Sequence, residues 1–147
     1  MTINTSPIFP VAPVVHNLSL AAVTACTTRA PTATASLAGA NIVQLTPTST
    51  NGKRIDKIQI NACSTSFTAP TVAQTVMIWM WDGTNAYLID EIAVTAVTPS
   101  TTTPAFIAAK SYTNLVLPAA NKLYASTSVT TTASTTALCV TAFGGDY

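Results

Sequence analysis

From Leu18 onward the chain alternates short apolar-rich runs with turn signals, the pattern of an all-β domain. The runs cover residues 18–27, 41–46, 54–63, 72–81, 86–94, 105–109, 112–117, 123–130 and 136–143. Between them stand Arg29-Ala30-Pro31-Thr32, Thr50-Asn51-Gly52, the Thr- and Pro-rich stretch 98–104, Pro118-Ala119-Ala120-Asn121 and 131–135. Within 54–63 the alternation is plain: Ile58, Ile60 and Ala62 share one face, and Lys57, Gln59 and Asn61 the other. The sharpest local signal is Asp82-Gly83-Thr84-Asn85 between two apolar runs, which predicts a hairpin because Asp and Gly accept the positive φ of a tight loop. Eight or nine short strands without a helix predict an all-β, two-sheet antiparallel β-sandwich of jelly-roll type.

The first strand of that hairpin is apolar on both faces, with Val76, Ile78 and Met80 on one and Met77, Trp79 and Trp81 on the other. Such a strand is covered on both sides. One face belongs to the sandwich core, and the other needs a second cover. Trp79 and Trp81 are therefore assigned to a subunit interface. A row of aromatics completed by Tyr87 could instead stack on a sugar, but the flanking residues are Met and Ile rather than the polar groups that orient a carbohydrate.

The N-terminus differs from the rest. Pro7, Pro10 and Pro13 recur every third residue among Ile8, Phe9, Val11, Val14 and Val15. Each proline fixes its own φ and biases its predecessor to extended backbone. Residues 1–17 are read as an extended arm and residues 18–147 as the β-sandwich domain. The five apolar side chains of the arm need cover, either as an edge strand of the same sandwich or across a neighbouring subunit. The second alternative makes them interface residues.

Composition narrows the function. Charged residues are 7% of the 147, against roughly 25% in an average soluble domain, and the net charge is +1. Six Lys and Arg balanced by five acids cannot neutralise a row of phosphates, so no nucleic-acid partner is expected. The longest strongly apolar run, 76–81, is far short of the roughly 20 residues that span a bilayer, and no secretory n-region precedes it, so no membrane partner is expected. A lone monomer with so few charges is poorly soluble, which points to a surface covered by other subunits, and hence to a homo-oligomer.

Candidate chemistry is sparse. His16 is the one histidine, lies in the proline-spaced arm, and is read as solvent-facing or interfacial. Asp90 and Glu91 are neighbours on a strand and point to opposite faces, so they cannot act as a carboxylate pair. Cys26, Cys63 and Cys139 are widely spaced, without a CxxC and with too little histidine for a zinc set. They read as small buried hydrophobes, with one Cys63–Cys139 disulfide as the alternative. No calcium loop, nucleophile elbow or phosphate loop is present. The expectation is no enzyme, no catalytic residue, no cofactor and no metal.

In order along the chain, Gly52-Lys53-Arg54-Ile55-Asp56-Lys57-Ile58, Trp81-Asp82-Gly83-Thr84-Asn85-Ala86-Tyr87-Leu88, Ile92-Ala93-Val94-Thr95-Ala96-Val97-Thr98-Pro99-Ser100, Leu115-Val116-Leu117-Pro118, Leu123-Tyr124-Ala125-Ser126-Thr127 and Val140-Thr141-Ala142-Phe143-Gly144-Gly145-Asp146-Tyr147 resemble a family of small structural proteins of tailed bacteriophage virions. The resemblance spans Gly52 to the end and is carried by the order of the pieces. It implies an all-β, usually oligomeric virion component without catalysis and carries over no functional residue, and the lack of a targeting segment makes assembly in the host cytoplasm the expectation. Head decoration, by clamping the major capsid protein as a trimer on a local symmetry axis, is the expected role. A tail- or fibre-associated adaptor, or a glycan- or receptor-binding module, is the alternative.

Overall fold

The computed structural model describes residues 12–147, in nine strands. These are β1 (Ala12–Leu20), β2 (Thr32–Ala33), β3 (Val43–Gln44), β4 (Lys53–Ala62), β5 (Gln74–Trp81), β6 (Asn85–Val94), β7 (Ile107–Leu117), β8 (Lys122–Thr127) and β9 (Leu138–Asp146). A single 3-10 turn, Thr34–Ser36, is the only helical element among the described residues. The strands form two antiparallel sheets, ordered β1-β9-β4-β7 and β2-β6-β5-β8-β3. With the two-residue β2 set aside, the chain passes between the sheets as a jelly roll does, and the β5–β6 hairpin lies within one sheet.

The hairpin forms as its sequence predicts. Gly83 has φ +105, and the Asp82 carboxylate accepts from the backbone N–H groups of Thr84 and Asn85, at 2.8 Å each. Those two bonds hold the Asp82 carboxyl below its usual range. On β4, Ile58 and Ile60 point into the core as their alternation requires. Ile55, of opposite parity, does so as well, because the ladder is irregular between Ile55 and Lys57 and Asp56 is the extra residue against β9. A second bulge, at Ile89 of β6, pairs Trp79 with Leu88 but Ile78 with Asp90. Ala86 and Leu88 therefore face outward, while Ile92 and Val94 face the core.

Several sequence boundaries move. The run 18–27 is strand only to Leu20, where β1 ends at the rim of the sandwich. The runs 105–109 and 112–117 belong to one strand, β7, whose pairing with β4 skips residues 112–114. The proline spacing divides arm from domain at residue 17, yet β1 passes through Asn17 and pairs with β9 from Ala12↔Asp146 to Leu20↔Leu138. The described part of the arm is thus an edge strand of its own sandwich, a position where Pro13 can lack an N–H without breaking a central ladder. Val14, His16, Leu18 and Leu20 are the less exposed positions of β1 and alternate with the exposed Pro13, Val15, Asn17 and Ser19. Ile8, Phe9 and Val11 lie outside the described residues.

Cys63 and Cys139 are joined by a disulfide, with Cα atoms 5.7 Å apart, and Cys26 is a buried, unpaired thiol. The bond fastens the end of β4 to the start of β9, which already pair at Ala62↔Leu138. It closes a sequence separation of 76 residues. Reduction is expected to lower stability by about 2–5 kcal/mol and to leave the mass of the species in solution unchanged, since the bond lies within one chain. Thermal unfolding with and without reductant, beside light scattering, checks both. An unchanged midpoint, or a smaller species after reduction, would contradict this.

Candidate interaction face

The two outer faces of the sandwich differ in who covers them. Over the β2-β6-β5-β8-β3 sheet, Met77 and Trp79 of β5, Ala86 of β6 and Tyr124 of β8 pack against Cys26, Leu37 and Ile42. The last three come from the irregular segment between β1 and β3. That segment is tied down by Cys26 N–H donating to the Thr127 carbonyl (2.8 Å) and Thr34 N–H to the Thr84 carbonyl (2.9 Å). Trp79 is 0% exposed, and its indole N–H donates to Ser126 Oγ at 2.9 Å. Trp81 is half-buried, donates to Thr34 Oγ1 at 2.8 Å, and has the Lys122 ammonium 4.9 Å from its ring centre. The second cover that the sequence required is therefore the chain itself. The assignment of Trp79 to a subunit interface is corrected, and Trp81 is largely spoken for by Thr34 and Lys122. No stacking platform remains, because the two indoles are not jointly exposed.

The outer face of the β1-β9-β4-β7 sheet has no such cover among the described residues. Register places Val15, Phe143, Lys57 and Ser111 in one row across it, and Asn17, Thr141, Gln59 and Ala109 in the next. Ser19, Cys139, Asn61 and Ile107 follow on one side, and Pro13, Gly145, Arg54 and Val116 on the other. Val15 is 62% exposed, Ile107 63% and Val116 49%, three of the large hydrophobic side chains left in water. The cations of the face are already engaged: Lys57 Nζ lies 4.3 Å from the Phe143 ring centre, and Arg54 pairs with Asp56 at 2.7 Å. The face is therefore apolar in patches and nearly neutral. Of the residues assigned to an interface, Val15 points onto it, whereas Val14 sits at a half-buried position of β1. Ile107 and Val116 were missed because the irregular stretch of β7 breaks the period-2 pattern that would have assigned them a side.

The ionisable groups are spent in separate pairs across the molecule. Asp90 and Glu91 face opposite ways, as their adjacency demands. Glu91 pairs with Arg29 at 2.7 Å on the outside. Asp90 lies against β7 of the other sheet, accepting from Lys110 Nζ (2.5 Å) and the Tyr112 hydroxyl (2.6 Å). Burial alone would raise the Asp90 carboxyl, but the bonds from Lys110, Tyr112 and the Glu91 N–H outweigh it and hold the group below its ordinary value. Burial and the same carboxylate push the Tyr112 hydroxyl up. Asp90 thus ties β6 of one sheet to β7 of the other. A carboxyl with a depressed folded pKa contributes stability above its unfolded pKa and loses it as pH falls through the folded value. Asp90→Asn is therefore expected to weaken the fold at neutral pH by about 1–3 kcal/mol and to flatten the acid limb below about pH 4. Urea unfolding across pH 2–7 measures it. Parallel curves for the two proteins would rule the clamp out.

At the other end, Lys53 is fully buried, donating to the Pro47 carbonyl at 2.7 Å with Asp146 Oδ1 at 3.7 Å. Burial lowers its pKa and Asp146 partly restores it. His16 has a buried Nε2 without a hydrogen-bond partner, and burial followed by the Lys53 charge lowers its pKa. The solvent-facing or interfacial reading of His16 gives way to a partly buried one, because the parity of β1 turns it away from the exposed side. Among the described residues no three of His, Cys, Asp and Glu gather as a metal site would need. No helix among them is long and apolar enough to cross a membrane. Comparison with protein-family models, with curated proteins and with solved structures finds no match for this chain.

Proposed function

We propose that the chain is a non-enzymatic structural component of a phage virion, a capsid decoration protein that seats the outer face of its β1-β9-β4-β7 sheet on neighbouring virion subunits. The observation that carries this reading is that face: a four-stranded surface with Val15, Ile107 and Val116 exposed and its cations internally engaged. A nearly neutral, apolar-patched surface loses little on desolvation and gains area on contact, which suits a cement acting through geometry rather than chemistry. Its partners are then the major capsid protein and further copies of itself, with a trimer fitting a local three-fold position. Trp79 and Trp81, engaged internally, lend nothing to the alternative of a glycan-binding tail module. Labelling the protein on intact particles and imaging them by electron microscopy is the test. Label distributed over the head supports decoration. Label confined to the tail or fibres, or absent from particles, overturns it.

A further inference from the structure

Beyond the β4 end of the sandwich, the loops 63–73 and 95–106 enclose an apolar groove. Phe67, 73% exposed, stands over Pro99, Pro104 and Ala105 in a recess of about 330 Å³, and a second recess of about 180 Å³ adjoins it, reaching Ala62 and Ala69. An exposed aromatic beside two prolines and a row of threonines is the kind of surface that receives an extended proline-containing segment: rings pack on rings, and hydroxyls meet the carbonyls of a backbone whose prolines cannot donate.

This chain carries such a segment. Pro7-Ile8-Phe9-Pro10-Val11 precedes β1 and lies outside the described residues. Its point of entry is fixed, because Ala12 pairs with Asp146, which pairs with Lys53. The groove abuts Ala62, at the opposite end of the ten-residue β4. At about 3.3 Å per residue the two ends are about 30 Å apart. Phe9 is three residues from Ala12 and Pro7 five, so an extended chain carries them at most about 11 and 18 Å from it. The segment cannot fill the groove of its own subunit.

We infer that residues 7–11 of one copy dock in the Phe67–Pro99–Pro104 groove of a second copy, joining subunits head to tail. This rests on the reading of the chain as an assembling structural subunit, and it names where the copies meet. A contact between two different surfaces closes into a ring when its rotation divides a full turn, as a trimer requires, and leaves the β1-β9-β4-β7 face available to other virion proteins.

The test uses the full chain and light scattering, with circular dichroism to confirm the β fold. Phe67→Asp and Phe9→Asp are each expected to reduce the oligomer to the mass of a single chain. Mixed together, the two variants should give twice that mass and no more, because the intact arm of the first finds the intact groove of the second and the chain of contacts stops there. A photoreactive residue at position 9 should cross-link to residues 99–105 of another chain. An oligomer unchanged by Phe67→Asp, a mixture that stays monomeric, or a cross-link outside the groove overturns the docking site and leaves oligomeric assembly standing. A single-chain mass for the unaltered protein overturns both.

Discussion

Replacing Trp79 with alanine is expected to destabilise the isolated chain by about 3–5 kcal/mol, whatever the protein concentration. The indole is fully buried between β5 and the segment that carries Cys26, Leu37 and Ile42, and it donates to Ser126, which is itself buried. Alanine leaves a ring-sized void and a hydroxyl without its partner. The two penalties act together, since neither the strand nor the covering segment can collapse without breaking the bonds that tie Cys26 to Thr127 and Thr34 to Thr84. The covering segment should also become the first site of proteolysis. Urea unfolding at several concentrations reads the effect. A loss below about 1 kcal/mol, or one seen only in the oligomer, would return Trp79 to a subunit interface.

Gly144→Ala is expected to cost about 3 kcal/mol, at the upper end for overpacking. The reason is distance rather than dihedral freedom. A Cβ at Gly144 would lie 1.9 Å from the Arg54 carbonyl oxygen and 3.0 Å from Ile55 Cα, and both are backbone atoms that cannot swing aside. Gly144 stands opposite Ile55, beside the Asp56 bulge that turns both Ile55 and Ile58 into the core, so the approach of β9 to β4 is part of how the bulge is seated. Gly83→Ala is the internal control: nothing lies within 4 Å, and only its φ of +105 resists, at about 1–2 kcal/mol. Should the two substitutions cost the same, the close approach at Gly144 would be wrong.

What could be read beforehand followed from local chemistry. Asp82-Gly83 announced its hairpin, and the alternation of β5 separated Val76, Ile78 and Met80 from Met77, Trp79 and Trp81, as observed, though not which of the two faces is the sandwich core. What stayed hidden has two physical sources. A period-2 reading assumes an unbroken ladder, so the bulges at Asp56 and Ile89, each of which reverses the faces of all that follows, are invisible in the pattern. Pairings such as β1 with β9, from opposite ends of the chain, and the cover laid by an irregular segment over Trp79 depend on contacts distant in sequence. The required second cover for Trp79 was legible; its source within the same chain was not. Likewise the proline spacing marked residues 12–17 as extended, but nothing local distinguished an edge strand from a free arm.

The proposal that the exposed face of the β1-β9-β4-β7 sheet attaches the protein to phage particles is tested most directly by co-sedimentation of particles with the double variant Val15→Asp, Val116→Asp. Both side chains point into solvent, so the fold is expected to survive, with its circular dichroism unchanged. Two carboxylates placed in a neutral, apolar contact would have to be desolvated there without partners, so the folded variant is expected to remain in the supernatant. A folded variant that sediments with particles as fully as the parent would show that this face is not the attachment surface.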